Sequence, residues 1–87
     1  MSDLIKQNVK AYISSAANMP VSEIKDEYVL KEDPLKLDDT KLGFLTLSLR
    51  GYIKTLNPSE TITVKEIRKN GLSVKGTCEL VVKKIES

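Results

Sequence analysis

Few residues in this chain can do chemistry, and those that can are hydroxyls, carboxylates, amines and one thiol. Histidine is absent, which removes a Ser-His-Asp triad, a Cys-His pair and any His-ligated zinc. Cys78 is the single cysteine, so neither an internal disulfide nor a Cys-x-x-Cys site can form. A lone thiol in a chain without staples fits a reducing, cytoplasmic setting. Glu32-Asp33 and Asp38-Asp39 bring carboxylates close in sequence, but their spacing fits no EF-hand loop and no metal site is expected there. Lys65, Arg68, Lys69 and Lys75 suggest a basic patch for phosphate groups, which Glu66, Glu79 and a net charge of only +2 weaken. No acid, base and nucleophile set emerges, so the chain is not expected to be an enzyme.

The frame that must hold these groups is small. The 87 residues read as a single domain spanning 1–87, since chains this short rarely divide. Apolar residues make up 40% and charged residues 30%, a globular composition. Met1-Ser2-Asp3-Leu4-Ile5-Lys6 lacks the basic start and long apolar run of a signal peptide. The longest purely apolar run is Leu80-Val81-Val82, far short of a membrane span. A cytoplasmic domain without a membrane partner is the expectation.

Periodicity predicts helices. Leu4, Ile5, Val9, Tyr12, Ile13, Ala16 and Ala17 draw one stripe, with Ser2 or Asp3 as cap and Pro20 as stop. Residues 20–41 show no sustained period and read as a long loop, with Asp33-Pro34 as a turn. Its spaced Val21, Ile24, Tyr28, Leu30, Leu35 and Leu37 suggest that it is pinned to the core. Leu45, Leu49, Tyr52, Ile53 and Leu56 predict a second helix from Leu42 or Leu45 to Leu56, ended by Asn57-Pro58. Thr63 and Glu66 form a capping box for a short helix at 64–69, stopped by Asn70-Gly71. Val74, Cys78, Val81, Val82 and Ile85 share a face of the last helix, capped by Ser73. Lys83 and Lys84 suit its negative end. Cys78 on that stripe reads as a buried, inert thiol. The fold class is all-α: a small four-helix bundle with a long loop between helices 1 and 2.

This order of helices resembles the acyl carrier protein family, including the carrier domains of polyketide and peptide synthases. The stretch Leu42-Gly43-Phe44-Leu45-Thr46-Leu47-Ser48-Leu49 is similar to the Leu-Gly-Phe-Asp-Ser-Leu-Ser-Leu of polyketide-type carriers. Tyr52-Ile53-Lys54-Thr55-Leu56-Asn57 resembles the end of their second helix, and Leu72-Ser73-Val74 the start of their last. In that family the serine carries a 4′-phosphopantetheine arm on which acyl groups ride as thioesters. The resemblance puts Thr46 in the serine's place and Leu45 in the aspartate's. A competing register sets Leu35-Lys36-Leu37-Asp38-Asp39-Thr40 on Leu-Gly-x-Asp-Ser-Leu, with Asp39 in the serine's place. The Thr46 register fits the downstream spacing better.

With Leu45 at zero and about 100° per residue, the apolar face covers roughly −20° to +80°. Thr46 then falls at about 100° and Ser48, the nearest true serine, at about −60°, so the two cannot point the same way; the resemblance makes each a candidate attachment hydroxyl. Leu47 falls at about 200°, on the outer face with Arg50 and Lys54, where the resemblance implies contact with partner enzymes. That face is usually acidic in the family and is basic here. The function expected is an atypical, unmodified carrier-like domain working through protein contacts beside fatty-acid, polyketide or peptide-synthase enzymes. By resemblance, a phosphopantetheinyl transferase is a further partner. The alternative is a small helical adaptor, or a weak nucleic-acid binder using Arg50, Lys54 and Lys65–Lys69.

Overall fold

A proline was expected to end the first helix, but an asparagine does so earlier. The computed structural model describes residues 2–87, and α1 runs from Ser2 to Ala17. Asn18 takes a left-handed conformation (φ 56°). Met19 N then donates to Ser14 O at 3.1 Å and Asn18 N to Ser15 O at 3.4 Å. This is a Schellman closure, which asparagine tolerates better than most residues. Ser2 and Asp3 lie inside the first turn, where Asp3 faces the positive end of the helix dipole.

Three further helices follow among the described residues, α2 Asp39–Leu56, α3 Val64–Ile67 and α4 Val74–Glu86, with a 3-10 turn at Val21–Glu23. Among the described residues the one sheet-like contact is an isolated antiparallel bridge between Val29 and Ser73. The molecule is an all-helical bundle with a long connection between α1 and α2. Helix α1 packs on both α2 and α4, and α3 packs across α2. Ile5, Val9 and Ile13 of α1 meet Leu42, Leu45, Leu49 and Ile53 of α2 and Val74, Cys78 and Val81 of α4 in one core. Tyr12 and Tyr52 add a tilted aromatic pair, 5.7 Å between centroids, and Asn8 Nδ2 donates to the Tyr52 hydroxyl.

The caps hold as the residue types require. Thr63 and Glu66 form the reciprocal box, and Ser73 Oγ accepts from Gly76 N at 2.9 Å. Burial would raise the Glu66 carboxyl, but the Thr63 amide and Lys84, 3.1 Å away, hold it below its ordinary value. Asn57 Nδ2 donates to Lys84 O and Ile85 O, which ties the end of α2 to the end of α4.

The long connection is part of the core. Ile24, Leu30, Leu35 and Leu37 are buried, Leu30 completely. Leu30 N donates to Leu72 O (2.9 Å), Val74 N to Tyr28 O (2.8 Å) and Lys75 N to Asp26 O (3.0 Å). Lys10 of α1 pairs with Asp26 at 2.7 Å. The lysine's hydrogen bond keeps the Asp26 carboxyl below its usual range. No helix among the described residues is long and apolar enough to cross a membrane.

Cys78 is 2% exposed, with its thiol towards Lys6 O. Burial pushes this thiol up to about 11. At pH 8 that leaves roughly one thiolate in a thousand, against about one in four for a thiol titrating near 8.5. The native chain should therefore react with iodoacetamide at least about a hundredfold more slowly than the urea-unfolded chain, as read by intact mass. The raised value also fixes a sign for stability. The contribution is whole below the unfolded thiol's value and is lost as pH climbs through about 11. Rapid labelling of the native chain would place Cys78 at the surface.

Candidate functional site

The residues with a stake in function lie along α2. The helix begins at Asp39, three residues before the earliest start expected from periodicity, because Asp38 caps it. Asp38 Oδ1 accepts from Lys41 N at 2.8 Å. The remaining free amides and the positive end of the dipole therefore gather at Asp38, Asp39 and Thr40. Asp39, an exposed carboxylate, lies 3.5 Å from Arg68 Nε.

Thr46 was expected at the edge of the core, with a reachable hydroxyl. It is instead fully buried, and its Oγ1 donates to Leu42 O at 2.8 Å. The helical angle was sound, but that flank of α2 is covered. Asp39 and Arg50, at about 120° and 140° on the same wheel, lie beside that flank, one before and one after Thr46 along the helix. Both reach across to the α3 segment, Asp39 to Arg68 and Arg50 Nε to Ile62 O at 3.1 Å. Thr46 is a core residue that returns its hydroxyl to its own helix, as threonine commonly does mid-helix. It is not an accessible attachment point.

Ser48 is exposed, on the rim of a half-open groove of about 420 Å³ between α1 and α2 that Tyr12, Ser15, Thr40 and Phe44 also line. It sits mid-helix, where the neighbouring amides are already bonded and none is free to receive a phosphate. Asp39, at the head where amides are free, has a carboxylate and no hydroxyl. The residues present do not fit a phosphopantetheine arm in either register. Glu32, Asp33, Asp38 and Asp39 do not converge either: Asp33 pairs with Lys36, Asp38 caps α2 and Asp39 meets Arg68.

The outer face of α2 is open. Leu47 is 61% exposed and Phe44, one turn before it, 66%. Phe44 escaped attention in the sequence because it reads as part of the Leu-Gly-Phe motif. Its wheel angle of about 260° already lay outside the apolar stripe. Arg50 is half-buried and fixed on Ile62 O, and Lys54 Nζ donates to Glu60 O at 3.2 Å. Both cations are thus held by backbone carbonyls, with no carboxylate within ion-pair distance among the described residues. From Thr40 to Ser59 the chain has Lys41, Arg50 and Lys54 but no aspartate or glutamate. The result is an apolar pair beside uncompensated positive charge. No family profile, curated protein or solved structure matches the chain.

Proposed function

We propose that the chain is a carrier-protein-like domain without a swinging arm, which works beside enzymes of acyl or peptidyl assembly through contacts on the outer face of α2. The observation that carries this is the division of α2. Its head bears Asp39 where a carrier needs a hydroxyl, Thr46 is sealed against its own helix, and Ser48, though exposed, sits mid-helix away from free amides. The face with Phe44 and Leu47 is open for docking. The succession of helices and the long connection before α2 support the same reading.

The test restores the missing group. The native chain, incubated with coenzyme A and a broad-specificity phosphopantetheinyl transferase, should gain no mass. Asp39→Ser places a hydroxyl after Asp38 at the helix head and should gain one arm. Adding Leu47→Asp should cut that gain at least about tenfold, because a central apolar contact is lost. Its melting temperature should stay within about 3 °C, since surface changes are small. No gain in Asp39→Ser, under conditions that modify a control carrier, would remove the carrier reading.

A further inference from the structure

We infer that the cleft between the α1–α2 connection and the α3 segment, bounded by Lys31, Lys65, Arg68, Lys69 and Asn70, binds a small anion that carries more than one phosphate group. The inference is independent of the docking face, since none of these residues lies on α2.

The cleft is a shallow depression, open to solvent, with about 570 Å³ of space above it. Its cations come from distant parts of the chain, Lys31 from the connection and the others from α3 and the turn after it. The two segments are fastened together. Leu30 N donates to Leu72 O at 2.9 Å, and Lys31 Nζ donates to Asn70 Oδ1 at 3.0 Å. Gly71 turns the chain beside Asn70 with φ +81°, a conformation natural to glycine. Lys31 is thus held beside Asn70 before any ligand arrives.

The cleft is also short of acid. Glu66 is its one lining carboxylate, and it is engaged by Lys84 and by the Thr63 capping box. Asp39 meets Arg68 at 3.5 Å from a largely exposed position, a pairing that contributes little in water. Lys65 and Lys69 have no carboxylate within ion-pair distance among the described residues. Asn70 accepts from Lys31 through its oxygen, which leaves its NH₂ group to donate. The free polar groups of the cleft are therefore mostly donors and mostly positive. A phosphate, with several acceptor oxygens and up to two charges per group, satisfies them. A carboxylate brings one charge and two oxygens. Nucleic acid fits less well. No aromatic ring lines the cleft to stack a base, and the net charge is only +2.

The full ¹⁵N-labelled chain is titrated with pyrophosphate, inorganic phosphate and a short single-stranded oligonucleotide, at low ionic strength where screening extends to about 30 Å. Pyrophosphate should saturably shift the amides of Lys31, Lys65, Lys69 and Asn70, several-fold more tightly than inorganic phosphate. Lys65→Glu with Lys69→Glu should weaken pyrophosphate at least about tenfold, while Lys75→Glu, outside the cleft, changes it less than about twofold. Both lysines are exposed, so the double variant should melt with the native chain. If it does not, Lys31→Gln serves as the second variant and should weaken binding several-fold. Absent shifts, or equal shifts around Lys6 and Lys83, would overturn the site. An oligonucleotide binding more than about tenfold tighter than pyrophosphate would overturn it in favour of a nucleic-acid surface.

Discussion

Thr46→Asp is expected to remove much of the protein's stability. The native side chain is wholly buried and its hydroxyl is bonded to Leu42 O. An aspartate there keeps roughly the volume but buries a charge, and the cation on that flank, Arg50, is already held on Ile62 O. An uncompensated buried charge costs about 3–5 kcal/mol. A domain of this size has only roughly 4–13 kcal/mol in total. The melting temperature should drop by more than about 12 °C. Ser48→Asp, two residues on and exposed, should stay within about 0.5 kcal/mol of native. The pair of melts separates the two accounts of position 46. A site open to a transferase must tolerate a charged side chain, whereas a core site cannot. A Thr46→Asp protein that melts within a few degrees of native would put residue 46 back at the surface.

The error that this experiment addresses has a physical origin. The wheel drawn from Leu45, Leu49 and Ile53 was correct, and these residues are buried. A wheel shows where a side chain points, not what lies opposite. The element α3, packed across α2, has only four residues, with too little periodicity to reveal where it packs. The start of α2 was misplaced for a related reason. Asp38 and Asp39 were read as loop acids, although aspartate before Thr40-Lys41 and then Leu42 is also a helix-start pattern. The downstream spacing favours the register centred on Thr46 and carries no information about that cap. The structure sets Asp39 at the helix head, the placement of the competing register.

What was legible depended on local signals. The Thr63–Glu66 box, the Ser73 cap and the α4 stripe through Val74, Cys78 and Val81 need only neighbours three or four residues away, and all are present. Leu47 on the outer face could be read from α2 alone. The basic cleft could not, because Lys31 and Asn70 meet only through the pairing of residue 30 with residue 72. The Lys65, Arg68 and Lys69 cluster was visible in sequence, but its loop partner was not. Nor could a period expose the order of the connection, since its side chains are anchored singly.

That order leads to a second large effect, at Leu30. The residue lies in a segment with no helix of its own, yet it is completely buried. Its amide donates to Leu72 O and its carbonyl accepts from Leu37 N, both at 2.9 Å. It thus joins the connection to the turn before α4 and closes the connection on itself. Leu30→Ala leaves a cavity where the backbone is held on both sides and has little freedom to collapse. The cost should match that of a helical core leucine, about 2–5 kcal/mol. Val21→Ala in the same connection, where the side chain is 48% exposed, should cost less than about 1 kcal/mol. Urea unfolding measures both, with an unchanged slope showing that the unfolded state is not the cause. Native amide exchange gives a second reading. The Leu30, Leu37 and Val74 amides should be protected to nearly the same degree as core amides of α2, because the connection opens only when the bundle does. Fast exchange at these amides, together with a Leu30→Ala cost no larger than that of Val21→Ala, would mean that the connection opens independently. In that case Lys31 would no longer be held against Asn70, and the phosphate cleft would lose the rigidity it depends on.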